Sequence, residues 1–157
     1  MTLTDKIDIM KYEIITDRLG IEKLAEDTFM AKDKVISSID YTDFFAIKKF
    51  RAFEQAIICE LNLQEKNWIA EFASVVKSLE PQLVNMSELM LFFIEGGEEL
   101  TFTINDLSEI LQILQSTACI QVEQSNHHVD ILYSLRNRPS MPEGILRIEL
   151  FAVCESE

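Results

Sequence analysis

The chain predicts an α+β fold. N-terminal helices pack on a C-terminal, mostly antiparallel sheet of order ββαβββ. Three observations predict it. Apolar residues recur every three or four positions through the first half, the period of amphipathic helices. They alternate with polar residues in several short runs of the second half, the period of half-buried strands. Gly96-Gly97 stands between two strand-like runs and suits a tight hairpin turn. At 157 residues the chain suggests one domain, with a helical half over 1–84 and a β-rich half over 85–157.

Taken in order, Thr4 is placed to cap a helix over about 5–19, with Ile7, Met10, Ile14 and Ile15 on one side and Gly20 just past its end. A second helix starts near Ile21 and carries Leu24, Ala25 and Phe29. Residues 32–40 suit a short helix. Thr42 then precedes the longest stripe, in which Phe44, Ile47, Phe50, Phe53, Ile57 and Leu61 recur at helical spacing. Asn62 with Glu65 three residues on has the form of a capping box. The helix that follows buries Trp68, Phe72, Val75, Val76 and Leu79, and Pro81 stops it.

In the second half, Met90–Ile94 is apolar throughout, as a strand covered on both faces is. Beyond the glycine pair, Leu100, Phe102 and Ile104 alternate with Glu99, Thr101 and Thr103. Asn105-Asp106, with Glu109, opens a helix lined by Leu107, Ile110, Leu111 and Leu114. Strands follow at about 118–123, at 129–135 (Val129, Ile131, Tyr133, Leu135) and at 145–154. A two-proline loop over 136–144 separates the last two. The parity opposite to the apolar one forms an outward sheet face that includes Glu99, Glu123, Asp130, Arg147 and Glu149. Phe151 and Val153 continue that parity as an apolar patch.

The net charge is −13, and it is uneven. Residues 81–157 hold twelve acids against three arginines, Arg136, Arg138 and Arg147, and no lysine follows Lys77. A field of this sign repels phosphate backbones and anionic lipid and attracts basic partners. Three widely spaced cysteines, Cys59, Cys119 and Cys154, suit buried thiols in a reducing compartment, and the N-terminus has neither the form of a leader peptide nor that of a membrane span. The expected location is the cytoplasm.

No phosphate-binding glycine loop and no nucleophile elbow is present in the sequence. The adjacent His127 and His128 would point to opposite faces of a strand, which does not suit a shared metal. Glu98-Glu99 flank a turn and are solvated, which does not suit acid–base catalysis. No catalytic residue, metal site or cofactor is therefore expected. Arg136 and Arg138 are expected either to pair with acids such as Asp130 or Glu143 or to meet a partner's carboxylate.

Residues 20–40, GIEKLAEDTFMAKDKVISSID, resemble the helix-turn-helix of Cro-type repressors. Leu24-Ala25 is similar to the opening of the first helix, and Ile36–Asp40 to the end of a recognition helix. Phe29 stands where that family places glycine, and one extra residue separates Ala25 from Ile36. The resemblance implies a DNA-binding regulator that gathers Lys32, Lys34, Lys48, Lys49 and Arg51 on one face. It is the alternative to the leading expectation.

That leading expectation is a non-enzymatic, acidic, cytoplasmic protein-binding inhibitor, a monomer or a homodimer. Its profile of size and charge resembles immunity proteins and antitoxins. Such a protein occludes the basic surface of a toxin or nucleic-acid enzyme, for example a toxic nuclease, with carboxylates in place of phosphates. The expected partner-binding residues are Glu95, Glu98 and Glu99 at the glycine turn and Glu123, Asp130 and Glu149 on the sheet face.

Overall fold

The computed structural model describes residues 12–37, 51–79, 88–119 and 130–155. Along the chain they form β1 (Tyr12–Ile15), α1 (Arg18–Met30), β2 (Lys34–Ser37), β3 (Arg51–Asn62), α2 (Trp68–Ser78), β4 (Glu88–Gly96), α3 (Ile104–Cys119), β5 (Asp130–Arg138) and β6 (Ile145–Glu155). The fold is α+β, with one six-stranded mixed sheet of order β1-β3-β6-β4-β5-β2. All neighbouring pairs are antiparallel except β4 with β5, which are parallel and joined through α3.

Parity along each strand decides what covers each face. Leu89, Leu91 and Phe93 of β4, Leu146, Ile148 and Leu150 of β6 and Ile57, Cys59 and Leu61 of β3 face α2 and α3. Those helices contribute Trp68, Phe72, Val75 and Val76, and Leu107, Ile110 and Leu114. Met90, Phe92 and Ile94 of β4, with Ala56 and Phe151, face α1 through Ile21 and Ala25. The continuous apolar run in β4 thus follows from its being covered on both sides. Phe151, whose parity predicts an outward patch, lies under α1 and is fully buried.

Several expectations are corrected. The β-rich region is not confined to the C-terminal half: β1, β2 and β3 come from the first 84 residues, and the order is not ββαβββ. The long stripe predicted as a helix includes β3, a strand paired along its length with β6, from Arg51↔Glu155 to Asn62↔Ile145. Ile57 and Leu61 satisfy a period of four and a period of two alike, and the β6 ladder decides between them. Residues 12–15 are a strand rather than the end of a helix, and Gly20 lies in the first turn of α1. Asp17 caps that helix by accepting the Gly20 N–H at 2.8 Å.

Residues 34–37 form edge strand β2, so the described part of the expected recognition helix is a strand, and residues 38–40 lie outside the described residues. Asn62 accepts the Gln64 N–H in a turn, and the N-cap position of α2 is Asn67. The strand expected after Gly96-Gly97 is an extended loop leading into α3. Thr103 and Asp106 exchange reciprocal 3.1 Å hydrogen bonds at that helix's start, the geometry of a capping box. The strand expected over 118–123 is helix at 118–119, and its remainder lies outside the described residues. His127 and His128 lie outside them too.

Cys59 faces the larger core, and burial, with Glu60 and Glu71 nearby, pushes its thiol up to about 12. Its thiolate, the reactive form, is therefore suppressed at neutral pH. Folded Cys59 should resist an alkylating reagent at pH 8 and react only on denaturation, which mass spectrometry of labelled peptides checks. Because the folded thiol keeps its proton where an unfolded one titrates, its contribution to stability is complete below about pH 8.5 and is lost as pH rises toward 12.

Candidate functional site: an acidic cleft at the carboxyl ends of β4 and β5

The two parallel strands end side by side, Gly96 opposite Arg138. In open sheets that hold parallel strands, ligands meet the chain in the crevice beyond such carboxyl ends. Here the crevice lies among the loop after β4, the loop before β6 and the turn after β3. It is a cleft of about 740 Å³ whose lining includes Gln64, Glu98, Glu99, Thr101 and Glu143.

The glycines bring these loops together. A Cβ on Gly96 would stand 2.1 Å from the Pro142 carbonyl oxygen and 2.8 Å from that of Met141, so only glycine lets the β5–β6 loop lie against β4. Gly97 has φ +89°, and its N–H donates to the Met141 carbonyl at 3.0 Å. The Gly144 carbonyl in turn accepts the Leu63 N–H at 2.7 Å, tying in the turn after β3.

Glu95 holds the rim from beneath. Its carboxylate accepts the N–H groups of Thr101 at 2.8 Å and Phe102 at 2.9 Å, and also the Thr101 hydroxyl. This explains why the alternating run 99–104 is not a strand. Its amides are committed to a carboxylate, and β4 already pairs with β5 and β6. Phe102 packs instead against Phe93, stacked at 5.4 Å between centroids. Asn137 adds a clamp, its side-chain amide donating to the carbonyls of Glu95 at 2.9 Å and Gly97 at 3.0 Å.

The expected partner-binding residues are divided by the structure. Glu98 and Glu99 are exposed on the rim. Glu95 is only 1% exposed and spends its oxygens on the loop, so its visible role is to shape the cleft it helps to line. Glu149 is likewise 1% exposed. It lies under α1, accepting from Thr28 Oγ1 at 2.5 Å and from Arg147 Nε at 2.7 Å. The outward acidic sheet face is corrected on this point, because α1 covers it. Asp130 opens β5 opposite Glu88, away from the cleft end of the strand, and Glu123 lies outside the described residues.

Sequence reasoning passed over Glu143 and Gln64 as site residues. The signal for Glu143 was its place in the two-proline loop, which a six-residue turn between long strands must fold back onto the sheet end.

The three arginines of residues 81–157 are all engaged elsewhere. Arg138 donates to Asp33 from Nε and Nη2, at 2.7 and 3.1 Å, and that hydrogen bonding raises its pKa further. Arg136 stands 3.5 Å from the same carboxylate, and Arg147 pairs with Glu149 and, at 3.6 Å, with Glu60. Asp33 thus takes the place of the expected Asp130 or Glu143. No basic side chain lines the cleft among the described residues. Among them, too, no group of three His, Cys, Asp or Glu residues is arranged to hold a metal ion, and no helix is long and apolar enough to cross a membrane.

No protein-family model and no curated protein sequence matches the chain. Among the solved structures that resemble it in fold are those of an FtsZ and a TubZ. FtsZ from M. jannaschii, a W319Y mutant, has a TM-score of 0.53 at 14% identity, over 87% of this chain and 40% of that one. TubZ from Bacillus thuringiensis serovar israelensis, in a GTPγS-form protofilament, has a TM-score of 0.51 at 12% identity, over 87% and 35%. This chain therefore spans well under half the length of either protein, and at such identities the likeness is one of fold alone.

Proposed function

We propose that the chain is a non-catalytic protein-binding module, an acidic inhibitor of the immunity or antitoxin type. Its cleft beyond β4 and β5 receives a lysine- or arginine-bearing element of a basic partner such as a toxic nuclease. The observation that carries this reading is the unbalanced charge of the cleft. Glu98, Glu99 and Glu143 line it, while each arginine of residues 81–157 is paired with Asp33, Glu149 or Glu60. Carboxylates with no counter-ion beside them among the described residues steer a cationic partner during its approach and pair with it on contact. Glu95, Asn137 and the glycine contacts pre-organise the rim, which lowers the ordering cost of binding.

A second reading is favoured by the fold likeness. TubZ is recorded in a protofilament, and a module of similar fold would bind a filament-forming protein of that kind, or copies of itself, rather than a toxin.

One experiment separates these readings. The tagged protein is captured from its native cells at low salt and at ~0.5 M salt, beside a variant carrying Glu98→Lys, Glu99→Lys and Glu143→Lys. The inhibitor reading expects a basic protein on the unaltered chain at low salt, reduced ~10-fold or more in the variant and at high salt. Recovery of an FtsZ- or TubZ-like protein, or of untagged copies of the chain itself, supports the second reading. Duplex DNA counts against both, and a basic partner held equally well by the variant counts against the inhibitor reading.

A further inference from the structure

The sheet face opposite α2 and α3 carries a charged cluster that the acidic cleft does not use. The chain runs from β1 at one edge, through α1 over this face, to β2 at the opposite edge. Residues 18–37 are therefore a strap laid from edge to edge. Its apolar hold is lighter than that of α2, although partly buried Leu24 and Phe29 add to it, Phe29 edge-on to Phe92 at 5.2 Å. Ile21, Ala25 and Thr28 are the buried residues of α1, whereas α2 buries Trp68, Phe72, Val75 and Val76.

The far end of the strap is held by charge. The Asp33 side chain is wholly buried, gripped by Arg138 through two nitrogens with Arg136 3.5 Å away. Arg136 also donates to the Thr28 carbonyl at 2.8 Å and lies over the rings of Phe29 and Phe92, 5.8 and 5.3 Å from their centroids. Thr28 and Arg147 complete the cluster through Glu149.

We propose that residues 18–37 lift from the sheet as one unit, with Asp33 as the latch. Segments that open below the global unfolding limit are those with few buried apolar contacts. A buried ion pair adds little net stability, because desolvation offsets the attraction, yet removing one partner is costly. The charged part of the strap's closure accordingly centres on a single carboxylate, beside the β2–β5 ladder and the apolar contacts of α1. Opening leaves intact the larger core between the sheet and α2 and α3. It uncovers Phe92, Phe151, Arg136 and Arg138, a cationic apolar face on an otherwise anionic chain.

Hydrogen exchange read by mass spectrometry on the full chain tests this, with Asp33→Asn and, as a control, Asp27→Asn in the exposed Lys23–Asp27 pair. The strap amides should exchange at least ~10-fold faster than those of β4 and β6 in the unaltered chain. Asp33→Asn should speed the strap by a further factor of ~10 or more while β4 and β6 keep their rates, and Asp27→Asn should change neither. Equal protection of strap and central strands overturns the proposal. So does an Asp33→Asn profile that accelerates all elements together, or one that leaves the strap unchanged.

Discussion

Replacing Gly96 by alanine should destabilise the chain by about 3 kcal/mol or more, a larger loss than alanine at Gly97. The contrast is informative because the two glycines are needed for different reasons. Gly97 is the one with positive φ, where a side chain costs roughly 1–2 kcal/mol of backbone strain. The problem at Gly96 is space: an added Cβ would meet two backbone carbonyl oxygens, neither of which belongs to a movable side chain. The β5–β6 loop must then withdraw from β4, the Gly97–Met141 hydrogen bond breaks and the cleft loses one wall. Urea midpoints of the two variants measure the difference. A Gly96→Ala protein as stable as the unaltered one would mean that the two loops do not lie in contact.

Glu95→Ala is expected to cost about 3 kcal/mol, since hydrogen bonds to a charged acceptor are worth about 1.5–3 kcal/mol each and two backbone donors are left bare. Thr101 and Phe102 lose their anchor, and the stretch from Gly97 to Thr103 should become protease-sensitive while α3 keeps its own cap from Thr103 and Asp106. Glu98→Ala, by contrast, removes an exposed rim carboxylate and should stay within ~0.5 kcal/mol of the unaltered stability. Denaturant curves with limited proteolysis check both. The pair separates the buried glutamate that builds the cleft from the exposed one on its rim, although they stand three residues apart.

The sequence made α2, β6 and most of α3 and β5 readable, because each has a single period that fits one kind of element, whereas the unbroken apolar run of β4 also suits a short helix over 87–94. Trp68 to Leu79 has no strand reading, and Ile145 to Cys154 has no helical one. The misread elements are those whose local pattern is compatible with two answers. Ile57 and Leu61 suit a helix until β6 is placed beside them. Leu100, Phe102 and Ile104 suit a strand until Glu95 takes the backbone donors between them.

The site was half readable for the same reason. Alternation places Glu149 on the face opposite Leu150, but nothing local says that a helix from residues 18–30 returns to cover that face. Nor does the proximity of Glu95 to Glu98 and Glu99 say that it turns inward. The three arginines stood out as the scarce cations of the second half. That Asp33, about a hundred residues away from two of them, would be their partner is a product of the β2–β5 pairing.

Under the proposed function the cleft, rather than the acidic surface as a whole, takes a cationic ligand. Titration of the ¹⁵N-labelled chain with hexa-arginine, followed by amide chemical shifts, tests it most directly. Shifts should concentrate at residues 63–64, 97–101 and 143–144 and be abolished at ~0.5 M salt and in the Glu98→Lys, Glu99→Lys, Glu143→Lys variant. Shifts spread along the exposed acids of α1, or a variant that responds as the unaltered chain does, would contradict it.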